Sequence, residues 1–319
     1  MPLPNDSRLT ALSKDLIQAL DDIGGVHPGF RPAHAKGAML TGVFTPSLDA
    51  KSLTRAPHAA RESTPVTVRF SDSTGSPEVA DNDAAASPRG LAVRFHLAEH
   101  VHTDIIGHSV DAFPVRTAEE FLEFLRAARA SGPDAAKPSP IESFIQAHPF
   151  AGQFLQTPKP IPSSFARESY FSVVAYKFLT DSGTERFGRY RISGAEGNHY
   201  LSDEELKGKG PNFLFDEVAE RLRKAPIRLR IGVQVANAGD TVDDVTKRWP
   251  EDRQVVDFGT VELTELVPAN DAEARKLIFD PIPRVDGIES SGDPLLEPRA
   301  AVYLMSGRRR RAADQSSDK

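Results

Sequence analysis

The chain has 319 residues, 39% of them hydrophobic, enough to bury a sizeable core as one large domain or two ordinary ones. Its 45 acidic and 39 basic residues give a net charge of −6, which excludes a global attraction to nucleic acid or anionic membrane. The lack of cysteine excludes thiol peroxidase chemistry, thiolate-ligated or CxxCH-attached haem, cysteine-ligated iron–sulfur clusters and disulfides.

Met1–Arg8 lacks the basic-then-apolar profile of a signal peptide, and the apolar runs are far shorter than the ~20 residues needed to span a bilayer. The cytoplasm is therefore the expected compartment. Residues 7–22 carry Leu9, Leu12, Leu16, Ile17 and Leu20 at helical spacing, and Gly24-Gly25 stops the helix. Residues 65–70 and 91–95 read as strands, separated by a long polar excursion. Thr117 and Glu120 form a capping box ahead of a helix that turns Phe121, Phe124 and Leu125 inward. Residues 133–164 read as Pro-rich and irregular. Strands follow at 171–179, 186–192, 227–235 and 255–264, with a helix at about 212–224. This series predicts an α+β fold, an antiparallel barrel with helical insertions. Residues 1–311 read as a single domain and 312–319 as a disordered tail.

Two segments carry candidate chemistry. His34 lies in Phe30-Arg31-Pro32-Ala33-His34-Ala35-Lys36-Gly37-Ala38, where small neighbours would let something flat approach the backbone. A lone histidine is more often structural than catalytic, so this segment needs support from elsewhere. Near the other end stands Arg299-Ala300-Ala301-Val302-Tyr303, followed by Arg308–Arg311. On a helix, positions four apart face each other, so Arg299 could stabilise a Tyr303 phenolate. By itself an arginine four residues before a tyrosine is a weak signal. His96, His100, His102 and His108 fit no clear zinc spacing.

Residues 279–303 resemble the proximal segment of the haem catalase family, with Phe-Asp-Pro, Gly-Ile-Glu, Asp, Leu and Arg-x-x-x-Tyr in order. Residues 66–95 resemble its distal sheet segment, including Arg69-Phe70-Ser71 and Pro88-Arg89-Gly90-Leu91-Ala92-Val93. Trp249-Pro250 and Ala175-Tyr176-Lys177-Phe178 also fit, and the likeness covers roughly residues 25–311. It implies a catalase-like antiparallel eight-stranded β-barrel with helical insertions, here without the long wrapping segment and C-terminal helical domain of large catalases. It further implies haem b, with Tyr303 as axial ligand of the iron and Arg299 tuning it. His34 becomes the distal acid–base and Ser71 its hydrogen-bond partner. Arg31, Arg69 and Arg310 become partners of the haem propionates, and Phe113 the distal aromatic.

The departures from that pattern are informative. His108 stands where large catalases place a distal asparagine, while Ala33 and Ser73 replace two channel valines. The family's proximal relay histidine, falling at Val174 or Ala175, is missing, though Asp293 is kept. The sequence thus resembles the small catalase-related peroxidases. The expected activity is reduction of hydrogen peroxide or organic hydroperoxides by small one-electron organic donors. Catalase activity, rearrangement of a lipid hydroperoxide and a non-enzymatic haem carrier stay as alternatives. Loss of the wrapping elements favours a homodimer over a tetramer, and neither nucleic acid nor membrane is expected as a partner.

Overall fold

The computed structural model of the protein describes residues 6–268 and 276–317. Its centre is an antiparallel sheet of ten strands: β1 (Gly37–Pro46), β2 (Thr64–Ser71), β3 (Gly90–Ala98), β4 (Val101–His108), β5 (Ser169–Phe171), β6 (Tyr176–Leu179), β7 (Glu185–Gly194), β8 (Ile227–Val235), β9 (Val255–Leu266) and β10 (Ile288–Ser290). Eight of them run in the order β7–β5–β4–β3–β2–β1–β9–β8, and β8 pairs back onto β7. The barrel therefore closes and leaves no edge along that ring. β6 and β10 branch from β7 outside the ring.

The barrel interior is filled by alternate side chains of its strands. Phe44 meets Phe95 edge-on at 5.0 Å and stacks on Phe258 at 5.6 Å, and Tyr190 lies 5.9 Å from Phe258. All four rings are buried, and each such burial stabilises the fold by roughly 1.5–3 kcal/mol.

The helices lie outside the barrel: α1 (Ser7–Gly24), α2 (Pro57–Ala60), α3 (Ala118–Arg129), α4 (Pro140–Ala147), α5 (Pro149–Gln156), α6 (Asp203–Leu206), α7 (Phe213–Lys224) and α8 (Leu296–Ser317). Asp6 caps α1 by accepting the N–H groups of Arg8 and Leu9, and Gly25, at φ 84°, ends it. α1 packs against both α3 and α8. Its Asp21 is paired with Arg309 of α8.

Several elements differ from the sequence reading. β1, β4 and β10 are additional strands, and 171–179 is two strands, not one. Residues 172–175 are buried and leave the ladder, with the Ser172 hydroxyl accepting the Tyr190 N–H at 2.8 Å. The segment 133–164 is not irregular throughout, because its prolines open helices. Pro140 starts α4 behind a Ser139–Glu142 capping box, and Pro149 starts α5. α8 runs to Ser317, past residue 311, and Arg311 donates to the Lys276 carbonyl at 3.0 Å.

Candidate active site

The register of the barrel builds one wall of a cavity. Across β1 to β5, Gly37, Ser71, Gly90, His108 and Phe171 are successive partners in a single row. Two residues along the strands, Arg69, Ala92 and Ile106 form a parallel row on the same face. The alternate positions Val68, Phe70, Val93 and Ile105 fill the barrel interior. Both rows therefore face outward, and α8 brings Tyr303 to the space beyond them.

His34 enters this wall from the loop before β1. Its Nδ1 shares a 3.0 Å hydrogen bond with the Ser71 hydroxyl, so its Nε2 is the nitrogen left for the cavity. The ring rests where Gly90 has no side chain. A Cβ there would stand 2.7 Å from His34 Nδ1 and 2.5 Å from Ser71 Oγ. His34 also has a left-handed backbone, with φ 55°, which an L-residue adopts at a cost of roughly 1–2 kcal/mol. The loop is tied down against that strain. His34 N–H donates to the Ser73 carbonyl at 2.9 Å and Ala35 N–H to Thr74 at 3.0 Å. Arg69 Nη2 donates to the carbonyls of His34 and Ala35 at 2.8 and 3.1 Å. Strain held in place by surrounding bonds is a common mark of a functional position.

Electrostatics keep both histidines of the wall neutral. Burial, with Arg69, His108 and Arg31 nearby, pushes His34 down to about 3. Burial and the Arg299 charge push His108 down to about 4. His108 Nδ1 accepts the Val110 N–H at 3.3 Å, which places its ring proton on Nε2. The wall thus joins one imidazole able to accept a proton with another that donates a hydrogen bond.

The opposite wall comes from α8. Arg299 Nη2 reaches the Tyr303 hydroxyl at 3.4 Å, as the four-residue spacing predicts. Burial lowers Arg299, but the neighbouring Tyr303 and Tyr176, with a smaller contribution from buried Asp293, raise it above its ordinary value. Arg310 donates to Ser306 Oγ and to the Leu277 carbonyl, each at 3.0 Å, and Arg31 donates to the same carbonyl at 3.0 Å.

His34, Ser71, His108, Arg31, Arg69, Phe113, Arg299, Arg310 and Tyr303 all line this one cavity of about 270 Å³. Ala33 lines it as well, but Ser73 does not; its carbonyl instead holds the His34 N–H. His96 and His102 face each other across the β3–β4 turn, outside the cavity. Among the described residues no group of three or more His, Cys, Asp or Glu could hold a metal ion. Further lining residues carry no site signal in the sequence: Gly90 as the seat of His34, Phe171 beside His108, Phe279, and Leu16 and Leu20 of the apolar face of α1. The glycine's small size was visible in the sequence, but its place opposite Ser71 and His108 depends on strand register.

A family model described as Catalase matches residues 29–317. The chain belongs to the catalase family. It is 34% identical over 304 residues to a catalase-related peroxidase of Mycolicibacterium paratuberculosis, covering 94% of this chain and 95% of that protein. A catalase-related peroxidase of Synechococcus elongatus is 33% identical, with coverage of 91% and 86%. Among solved structures, a fungal catalase superposes with TM-score 0.76 at 22% identity, and catalase A from Saccharomyces cerevisiae with TM-score 0.77 at 21%. These alignments cover 92% of this chain but only 62% and 64% of the two larger catalases.

Family membership implies a haem cofactor, and the cavity suits one. Arg69 is buried and Arg31 half-buried in its wall, and neither forms an ion pair with a carboxylate among the described residues. Burial and the neighbouring Arg69 charge push Arg31 well below its ordinary value, while burial and Arg310 push Arg69 down to about 9. Such cations gain stability from a bound dianion. With Tyr303 and its Arg299 on one side and apolar surface around them, the donor set matches an anionic, tyrosinate-ligated macrocycle.

Proposed function

We propose that this protein is a haem b peroxidase, reducing hydrogen peroxide or organic hydroperoxides at the expense of small one-electron organic donors. The observation that carries this reading is the meeting of His34–Ser71 and Arg299–Tyr303 on facing walls of one cavity. Arg31, Arg69 and Arg310 would hold the propionates, Tyr303 would ligate the iron, and Arg299 would favour its phenolate form. When bound, haem supplies the centre that accepts the two oxidising equivalents of the peroxide and returns them one at a time.

His34 does the proton work. With its Nδ1 proton directed at Ser71 Oγ, the Nε2 lone pair takes the proton from the near peroxide oxygen and delivers it to the far one, easing heterolysis of the O–O bond. His108 Nε2–H donates a hydrogen bond to the substrate beside it. Arg69 holds the loop backbone on which His34 is mounted. Ala33, Leu16 and Leu20 add small and apolar surface, in keeping with organic peroxides or donors as well as hydrogen peroxide.

Tyr303→Phe tests the ligand assignment. The expected result is a changed haem absorption spectrum and loss of peroxide turnover; an unchanged spectrum would show the ligand to be another group. A paired assay of the haem-loaded protein separates the two activities. Dye oxidation by peroxide should dominate over oxygen release, and the reverse ratio would make the enzyme a catalase.

The pH dependence follows from burial. His34 must be neutral to accept a proton, and its value lies near 3, so falling pH does not protonate it until well into the acid range. The second-order rate with peroxide is expected to stay flat as pH falls through the ordinary imidazole value of about 6.5. Stopped-flow measurements showing an acid limb centred there would contradict a buried neutral His34.

A further inference from the structure

We propose that Tyr190, inside the barrel, is a one-electron donor that reduces the peroxide-oxidised site through Tyr176 and passes its proton to His58. The inference rests on the peroxidase reading, and it concerns residues outside the cavity described above.

The chain has only five tyrosines, and two of them, Tyr176 and Tyr190, pack against each other. The Tyr176 and Tyr190 rings are 5.6 Å apart and inclined at 52°. Tyr176 lies near enough to Arg299 and Tyr303 to interact electrostatically with both, and its hydroxyl donates to the Pro281 carbonyl at 3.2 Å. Both rings are almost fully buried, at 2% and 3% exposure, so no organic donor can reach them directly. Burial raises both phenols above their ordinary value and keeps them protonated. An electron can therefore leave Tyr190 only if its proton has somewhere to go.

A second, small cavity supplies that place. It has a volume of about 10 Å³, and its walls include His58, Thr103, Asp104, Tyr176 and Tyr190. That is close to the minimum of ~10–15 Å³ needed for one water. His58 is 1% exposed, with its ring 4.7 Å from Phe95. Its Nδ1 has no hydrogen-bond partner among the described residues. Burial, aided by the Arg61 charge, pushes this imidazole down to about 3, so it is neutral with an open lone pair; the one-electron-oxidised phenol, a far stronger acid than the imidazolium, is what drives the proton onto it. A water in the cavity would satisfy Nδ1 and bridge it to the Tyr190 hydroxyl.

The step balances. The Tyr190 O–H bond breaks, one electron passes through Tyr176 to cancel one of the two oxidising equivalents delivered by the peroxide, and the proton moves through the water to His58 Nδ1. The products are a neutral tyrosyl radical and an imidazolium. Reduction by an organic donor through the same path restores both groups. The pair would hold one oxidising equivalent when donor is scarce, sparing the cofactor and its ligands.

The experiment is freeze-quench electron paramagnetic resonance on haem-loaded protein mixed with hydrogen peroxide without donor, repeated with ring-deuterated tyrosine. A tyrosyl signal that narrows on deuteration is expected. It should be lost in Tyr190→Phe and weakened in His58→Phe, which both keep an aromatic ring in the core, and should persist in Tyr200→Phe, whose ring is surface-exposed. Persistence of the full signal in Tyr190→Phe, or absence of any tyrosyl signal while the Soret band responds to peroxide, would overturn the proposal alone. A Soret band that does not respond to peroxide would overturn the peroxidase reading beneath it.

Discussion

His34→Ala is expected to lower the rate of reaction with peroxide by about 10²–10⁴-fold, the usual contribution of a positioned acid–base group. Haem should still bind, because Tyr303 and the arginines Arg31, Arg69 and Arg310 belong to other parts of the cavity wall. Neither Ser71 nor His108 replaces the lost base. The Ser71 hydroxyl, released from the imidazole, is far too weak a base, and His108 has its Nδ1 occupied and its proton on Nε2. The backbone adds a second expectation that a purely chemical argument would miss. Residue 34 has φ 55°, where alanine keeps the steric cost and glycine does not. His34→Gly should therefore be as inactive as His34→Ala yet more stable by about 1 kcal/mol, seen as a higher urea midpoint with an unchanged slope. Equal midpoints would mean that the four hydrogen bonds around residues 34 and 35 absorb the strain without cost. Substantial activity in both variants would remove His34 from the mechanism.

Gly90→Ala is the second large effect, although it removes no functional group. Its Cβ would approach His34 Nδ1 to 2.7 Å and Ser71 Oγ to 2.5 Å, distances that real Cβ atoms do not tolerate. Either the imidazole or the serine must move, and a displacement near 1 Å at a reacting group costs on the order of 10²-fold in rate. The expected result is a fall in turnover of that size with a nearly normal haem content. Gly132→Ala is the matching control, since a Cβ there meets no atom within 4 Å, and it should leave turnover unchanged. If Gly90→Ala retained full activity, the imidazole would have to reach the substrate from a position other than the one above the β2–β4 row.

The two variants mark different kinds of information in the chain. His34, Arg299 and Tyr303 could be singled out from residue type and spacing, because helical periodicity places an arginine four residues from a tyrosine wherever the segment is helical. The motif order around Phe279–Tyr303 and Arg69–Val93 was sufficient for the catalase resemblance, and the family model over residues 29–317 bears it out. Strands with clear alternation, such as Ile227–Val235, were legible for the same local reason. Less legible were β1 and β4, whose patterns are blurred by Gly42 and by the polar run through His102–Asp104. The helices α4 and α5 were hidden because prolines that open helices look, in sequence, like prolines that break them.

What the sequence determined by itself was the chemistry on offer: a histidine among small residues, a tyrosine with its arginine, spare guanidiniums, and no thiol. Only the tertiary structure decided which of these groups meet. The row Gly37–Ser71–Gly90–His108–Phe171 comes from five strands of one barrel, and a slip of one residue in any of them would turn that strand's member to the other face. The left-handed backbone of His34, the vacancy above Gly90 and the depressed basicity of the half-buried His34 and His108 imidazoles likewise arise from long-range packing. Burial and register are properties of the closed barrel, and no local stretch of sequence contains them.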